Sequence, residues 1–197
     1  MITLPSCPPI QRAVPRLIGF FEDQTPVLGG PISRVARMGD RWAIDVETFP
    51  ARYAEHGMAY LSRLVRGMRE EVILAFPEPG LSALDYGVPV VASAGAAGQT
   101  LPVSGLTPGV TIREGKFLSI VISGRRYLHQ VTADVVVAGD GLASLPIYPM
   151  LRRQPPAGSV IELAVPKISG FVQGRERDWQ VSRSKYLPFS FSLIEVE

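Results

Sequence analysis

The chain has 197 residues, 46% of them hydrophobic, and a formal net charge of +2. That is enough apolar material to bury a real core, and it argues against a disordered chain. Its 20 basic and 18 acidic residues are mixed along the sequence, without the concentrated basic face that nucleic-acid binding requires. Cys7 is the single cysteine, which excludes an intramolecular disulfide and a cysteine-based zinc site. Nineteen glycines and eighteen prolines punctuate short apolar runs, so a mainly β fold with many turns is expected.

Residues 1–10 form a proline-rich lead-in with an extended reading. Pro5, Pro8, Pro9 and Pro15 break up the first fifteen residues, so no signal peptide is expected there. No run approaches the roughly 18 apolar residues of a membrane span. The expectation is a protein made and folded in a cytoplasm. Stretches 12–21 and 25–38 have strand character but contain Pro15, Pro26 and Pro31. Proline cannot donate to a ladder, so these read as edge strands or strand starts. Gly29, Gly30 and Pro31 mark a turn.

From Gly39 to Pro77 the pattern is strand, helix, strand. In 41–47, Trp42, Ile44 and Val46 alternate with Arg41, Asp45 and Glu47, the period of a half-buried strand. Thr48 is placed to cap a helix and Pro50 lies near its first turn, so a helix is expected over about 50–67. Ala54, Met58, Leu61, Leu64, Val65 and Met68 make its expected apolar face, with Gly57 at a close approach and Gly67 as a stop. Residues 71–76 are apolar on both sides, the signature of a strand covered on both faces.

The composition shifts at Pro77. Residues 77–84 are irregular, and Ser93 to Gly98 are small and featureless, so this region reads as the passage into a second β unit over about 86–150. There, 117–122 is a strand, Ser123 and Gly124 a tight turn, and 126–137 a longer strand. Tyr127, His129, Val131, Ala133, Val135 and Val137 share one face of it. A further strand is expected over 142–147, and together these make a small barrel or curled sheet. The run 154–158 returns the chain to the first unit, with a strand at 160–165. Residues 169–183 read as polar and irregular around Trp179. The closing strand places Leu187, Phe189, Phe191 and Leu193 on one face, so the C-terminal segment docks in the sheet. The expected domains are 1–84 with 154–197, and an inserted 85–153.

Convergent reactive groups are absent from the sequence pattern. His56 beside Glu55 reads as a helix-surface histidine, and His129 as a satisfied core histidine. Two isolated histidines have no metal-ligand spacing. There is no nucleophile elbow and no phosphate-binding loop; Gly95, Ala96, Ala97 and Gly98 open no helix and lack a lysine. Cys7 has no activating base. Glu22 with Asp23 and Glu70 with Glu71 are adjacent, and neighbours on a strand point to opposite faces, which suits them poorly to acid–base work. Arg125 with Arg126 and Arg152 with Arg153 read as basic pairs at turns, solvated or at a subunit contact. No catalytic, cofactor-binding or metal residue is expected, and no cofactor. Pro-broken edge strands and the N-terminal arm fit protein assembly instead.

Three stretches taken in order resemble a known family. Gly39 to Ile44 leads into Tyr60 to Gly67 and then Val72 to Pro77. Ile112 to Ile120 is followed by Leu128 to Val131 and Leu145 to Pro149. Leu187 to Glu195 closes the chain. This order is similar to that of phage minor tail proteins of the distal tail type. The resemblance implies a tail-tube-like β-sandwich flanked by one helix, with a small inserted β-barrel-like domain. It implies a virion component at the tail tip: a ring, usually hexameric, joining the tail tube protein to the hub and to receptor-binding or fibre proteins, with viral DNA passing through its lumen. In that reading 11–77 and 160–197 build the ring wall, and 86–150 carries a partner. The alternative is a carbohydrate- or receptor-binding module with Tyr127 or Tyr148 exposed in a groove. A cell-wall hydrolase would need a carboxylate pair or zinc constellation that the sequence does not show.

Overall fold

The computed structural model describes residues 1–27, 29–80, 84–176, 178–179 and 185–196. In chain order the first strands are β1 (Ile2–Thr3), β2 (Ile10–Ile18), β3 (Phe21–Gln24), β4 (Ser33–Ala36), β5 (Arg41–Thr48) and β6 (Ala51–Arg52). A wide helical turn over Tyr53–Gly57 runs into α1 (Met58–Arg66), and β7 (Val72–Ala75) follows. Next come β8 (Gly87–Val91), β9 (Thr100–Leu106), β10 (Thr111–Ile112), β11 (Phe117–Ile122), β12 (Arg125–Val131), β13 (Val135–Val136), β14 (Ala143–Tyr148) and β15 (Ile161–Glu162). The chain closes with β16 (Lys167–Val172), β17 (Tyr186–Leu187) and β18 (Ser190–Glu195). The protein is mainly β.

Six strands form the first sheet in the order β1-β7-β16-β18-β5-β2, antiparallel except for β1 against β7. The alternation at Trp42, Ile44 and Val46 faces the core as expected. β5 is a central strand, however, and Ala43 on its other side is also fully buried. β2 lies at the sheet edge and accommodates Pro15 opposite Ile44, as a strand lacking an amide donor must. The closing strand sits between β16 and β5, so the C-terminal segment is docked in the middle of the sheet.

The helix begins later than its sequence signals. Thr48 does not cap it; its hydroxyl accepts from the Phe189 N–H (3.3 Å), and a short pairing of β6 with β17 intervenes. The buried face is also rotated from the expected one. Tyr60 and Leu64 are buried, Leu61 is half-buried, and Ala54, Met58 and Val65 are exposed. Tyr60 wins the core position because Phe189 and Phe191 present rings to it at 5.0 and 6.2 Å, and aromatic contacts of this kind outweigh a few aliphatic groups. Gly67 ends the helix in right-handed geometry. It is glycine because a Cβ there would strike the Val72 and Val172 side chains.

The second sheet runs β15-β11-β12-β14-β9-β8, and a bridge between Val90 and Val160 brings its two edges together. The result is a nearly closed, barrel-like sheet around Leu101, Leu118, Ile120, Val131, Leu145 and Ile147. Several expectations change here. The strand expected at 160–165 is β15, shortened to two residues, and it joins this second sheet. Ser93 to Gly98 are not a passage between units: they lie in the loop that joins β8 to β9 within the second sheet, exposed except for Ala96. The strand expected over 126–137 stops at Val131: the Thr132 N–H donates to Pro146 O (3.0 Å) and the Asp134 carboxylate accepts from the Glu114 N–H (2.7 Å). The segment 169–183 opens as β16, an interior strand of the first sheet that the sequence reading missed; its positions 177 and 180–184, like 81–83 in the earlier irregular run, lie outside the described residues.

The two sheets share packing. Leu128 of β12 belongs to the first core. Phe117 of β11 meets the rings of Trp42 and Phe76 at 5.0 and 4.5 Å.

Candidate functional site

Polar groups concentrate where the sheets meet. Glu195 ends β18 on its buried face and is 1% exposed. One carboxylate oxygen accepts from the Leu128 N–H of β12 (2.7 Å), the other from the Trp42 N–H of β5 (3.1 Å). Arg152 lies 2.6 Å from the same carboxylate, and its Nη1 reaches Val196 O at 3.4 Å. The guanidinium also lies over the Tyr127 ring at 5.3 Å. Burial pushes the Glu195 carboxyl up to about 7, against the opposing pull of Arg152 and the two amide donors.

A second buried pair joins Lys116 to Glu78. The other Glu78 oxygen accepts from the Phe117 N–H (2.8 Å). A third cluster links the barrel to β16. Glu162 accepts from Lys167 Nζ (2.6 Å) and the Ser119 hydroxyl (2.9 Å), while the Arg126 N–H donates to Ser169 Oγ (2.9 Å). The carboxylates of these clusters are paired with cations and amide donors from distant positions, while Arg126 Nε and Arg152 Nε are buried without a hydrogen-bond partner. Each carboxylate is committed to a cation or to amide donors, so none of the three clusters offers a free base beside a nucleophile.

The sequence-stated candidates are dispersed. His56 is exposed, and its neighbour Glu55 pairs with Arg52 at 2.9 Å. His129 is buried; its Nδ1 lies 2.8 Å from Pro149 O, and burial pushes its pKa down to about 4. Cys7 is half-buried. Asp23 pairs with Arg34, Glu70 with Arg66 and Glu71 with Arg125. Of the four arginines read as solvated or at a subunit contact, Arg152 is instead buried against Glu195, and Arg126 is half-buried beside Glu162. Their partners come from distant positions, which a local pattern cannot reveal. Among the described residues no group of three or more His, Cys, Asp or Glu side chains could hold a metal ion. No described helix is long and apolar enough to cross a membrane.

Of the two tyrosines a glycan-reading surface would use, Tyr127 is buried. Tyr148 is 36% exposed, and its hydroxyl donates to Asp40 Oδ2 at 3.0 Å. Asp40 Oδ1 accepts from the Phe20 N–H (2.7 Å). Asp40 therefore fastens the barrel to the root of a two-stranded arm, β3 and β4, which continues the β2–β5 pairing beyond the sheet. Every residue of β3 is exposed. Phe21 is 53% exposed and Met38 is 71% exposed, and Ile32 and Val35 are exposed with them. The sequence carried this signal as Pro-flanked strand stretches; their projection away from the core was not legible.

No protein-family model matches the chain, and no curated protein matches it.

Proposed function

We propose that the chain is a structural, ring-forming protein of the distal tail type, without chemistry of its own. The single observation that carries this reading is the β3–β4 arm. A two-stranded ribbon with no core is marginal in water, yet this one holds Phe21, Ile32, Val35 and Met38 in solvent. Apolar groups on an unpaired strand edge are a liability unless a neighbouring subunit covers them. The free edge of β2 runs into the same arm and adds unpaired backbone groups to it.

In this proposal the first sheet and α1, from residues 1–84 and 154–197, form the wall of a tail-tube-like sandwich. The 85–153 insert, completed by β15, faces a hub or receptor-binding protein. The assembly is a hexameric homo-oligomer at a virion tail tip, with DNA in transit through its lumen. A ring multiplies individually weak contacts, so no single interface need be strong. The test is negative-stain electron microscopy and analytical ultracentrifugation of the purified protein over rising concentration. Rings, abolished by Phe21→Ser with Val35→Ser, support the proposal. A monomer that stays monomeric at the highest concentration and on purified tail tubes overturns it.

A further inference from the structure

The β3–β4 arm joins the body through a break in the ladder. β2 pairs with β5 as far as Ile18 opposite Arg41, and β3 pairs with β4 from Phe21 opposite Ala36. Two residues, 19–20, fill the gap on one strand, and four, 37–40, fill it on the other. Unequal counts of this kind interrupt pairing and bend a ribbon. Each strand carries a glycine there. Gly39 has a φ of 148°, a conformation that residues with side chains rarely adopt. A Cβ on Gly19 would lie 2.9 Å from the Phe21 ring. In a hinge, a few residues at the ends of elements absorb the change of direction, and this break has that form.

Beyond the break the arm is tied to itself. Arg34 donates to both oxygens of Asp23, at 2.6 and 2.8 Å, and its guanidinium lies over the Phe21 ring at 4.2 Å. At the break, hydrogen bonds converge on Asp40, which accepts from the Phe20 N–H (2.7 Å) and from the Tyr148 hydroxyl (3.0 Å). The Tyr148 bond crosses to β14 of the barrel. Beside it the arm root and the barrel stand apart: Met38 and Gly39 line an open pocket of about 210 Å³ with Arg152 and Arg153.

We propose that the arm turns as a unit about residues 19–20 and 37–40, and that the Asp40–Tyr148 hydrogen bond is the latch that holds its direction. One hydrogen bond at a partly exposed site contributes modestly in water, so a contact made at Tyr148 on the barrel releases the arm and redirects Phe21 and Val35. The device lies within one chain and does not depend on the ring reading.

The test is double electron–electron resonance on the full chain at low concentration, in a Cys7→Ser background. Spin labels sit at Gln24→Cys on β3 and Ala133→Cys on the barrel, both exposed positions. A single narrow distance is expected for this parent. Tyr148→Phe, which removes only the latch hydroxyl, should broaden it or add a second distance. Tyr53→Phe, at an exposed tyrosine beside α1, should leave it unchanged. A second label pair, Glu22→Cys with Val35→Cys, spans facing partners in the ribbon. Its spin–spin broadening in continuous-wave spectra should persist in Tyr148→Phe, as expected of an arm that turns without unfolding. Three results overturn the proposal: a broad distance already in the parent, an unchanged narrow distance in Tyr148→Phe, or loss of the broadening within the ribbon.

Discussion

Glu195 on the last strand of the first sheet accepts a 2.7 Å hydrogen bond from the Leu128 amide of the barrel. That bond crosses from one sheet to the other, and the same carboxylate also holds Trp42 and Arg152. Removing it strands a buried cation and two amide donors. Glu195→Ala is expected to destabilise the fold by about 3–5 kcal/mol, measured by urea unfolding. Glu195→Gln keeps one acceptor and should cost less.

The pH profile should show two opposed contributions. Glu195 is raised from 4.5 to about 7, so its contribution is fully present below pH 4.5 and is lost as pH rises through 7. His129 is lowered from 6.5 to about 4, so its contribution is present above pH 6.5 and is lost as pH falls through 4. Each amounts to about 3 kcal/mol with opposite sign. Stability of the wild type is therefore expected to change little between pH 4.5 and 6.5. Glu195→Gln should lose stability steeply on acidification across that range, and His129→Gln should lose it as pH rises. Chemical denaturation at half-unit pH steps reads both slopes.

The Lys116–Glu78 pair should behave asymmetrically. Glu78 serves both Lys116 and the Phe117 amide, so Glu78→Leu leaves a cation and a donor unpaired in the interior. It is expected to cost about 3–5 kcal/mol, more than Lys116→Met, and the double variant should recover most of the loss. A double-mutant cycle by urea unfolding checks this.

Gly170 sits in β16 where a Cβ would land on the carbonyl oxygen of Ile194 in β18. The obstacle is backbone, which cannot rotate aside. Gly170→Ala is expected to lower stability by about 3 kcal/mol and to reduce the thermal midpoint accordingly. Gly95→Ala makes a useful comparison: its space is open, and only its left-handed φ of 83° opposes the change.

The arm should separate stability from assembly. Phe21 and Val35 touch no core. Phe21→Ser with Val35→Ser should shift monomer stability by no more than about 0.5 kcal/mol, read by thermal melting at low concentration.

Local pattern decided a good deal of this molecule. The alternation at Trp42, Ile44 and Val46 and the apolar run at Val72 to Phe76 were readable because strand periodicity needs only neighbours. So was the Ser123–Gly124 turn, where both residues have positive φ. Pro15 marked an edge strand for the same reason: a missing amide donor is a property of one residue. Tertiary contacts decided the rest. Tyr60 became the buried residue of α1 only because two phenylalanines from β18 came to meet it. β16 was hidden because the Lys167 amide, Ser169 and Gly170 meet partners far along the chain rather than following a periodic pattern. Glu195 looks like a terminal surface carboxylate in one dimension. It is buried because donors 153, 67 and 43 positions away converge on it, and no local sequence signal encodes a convergence of that range.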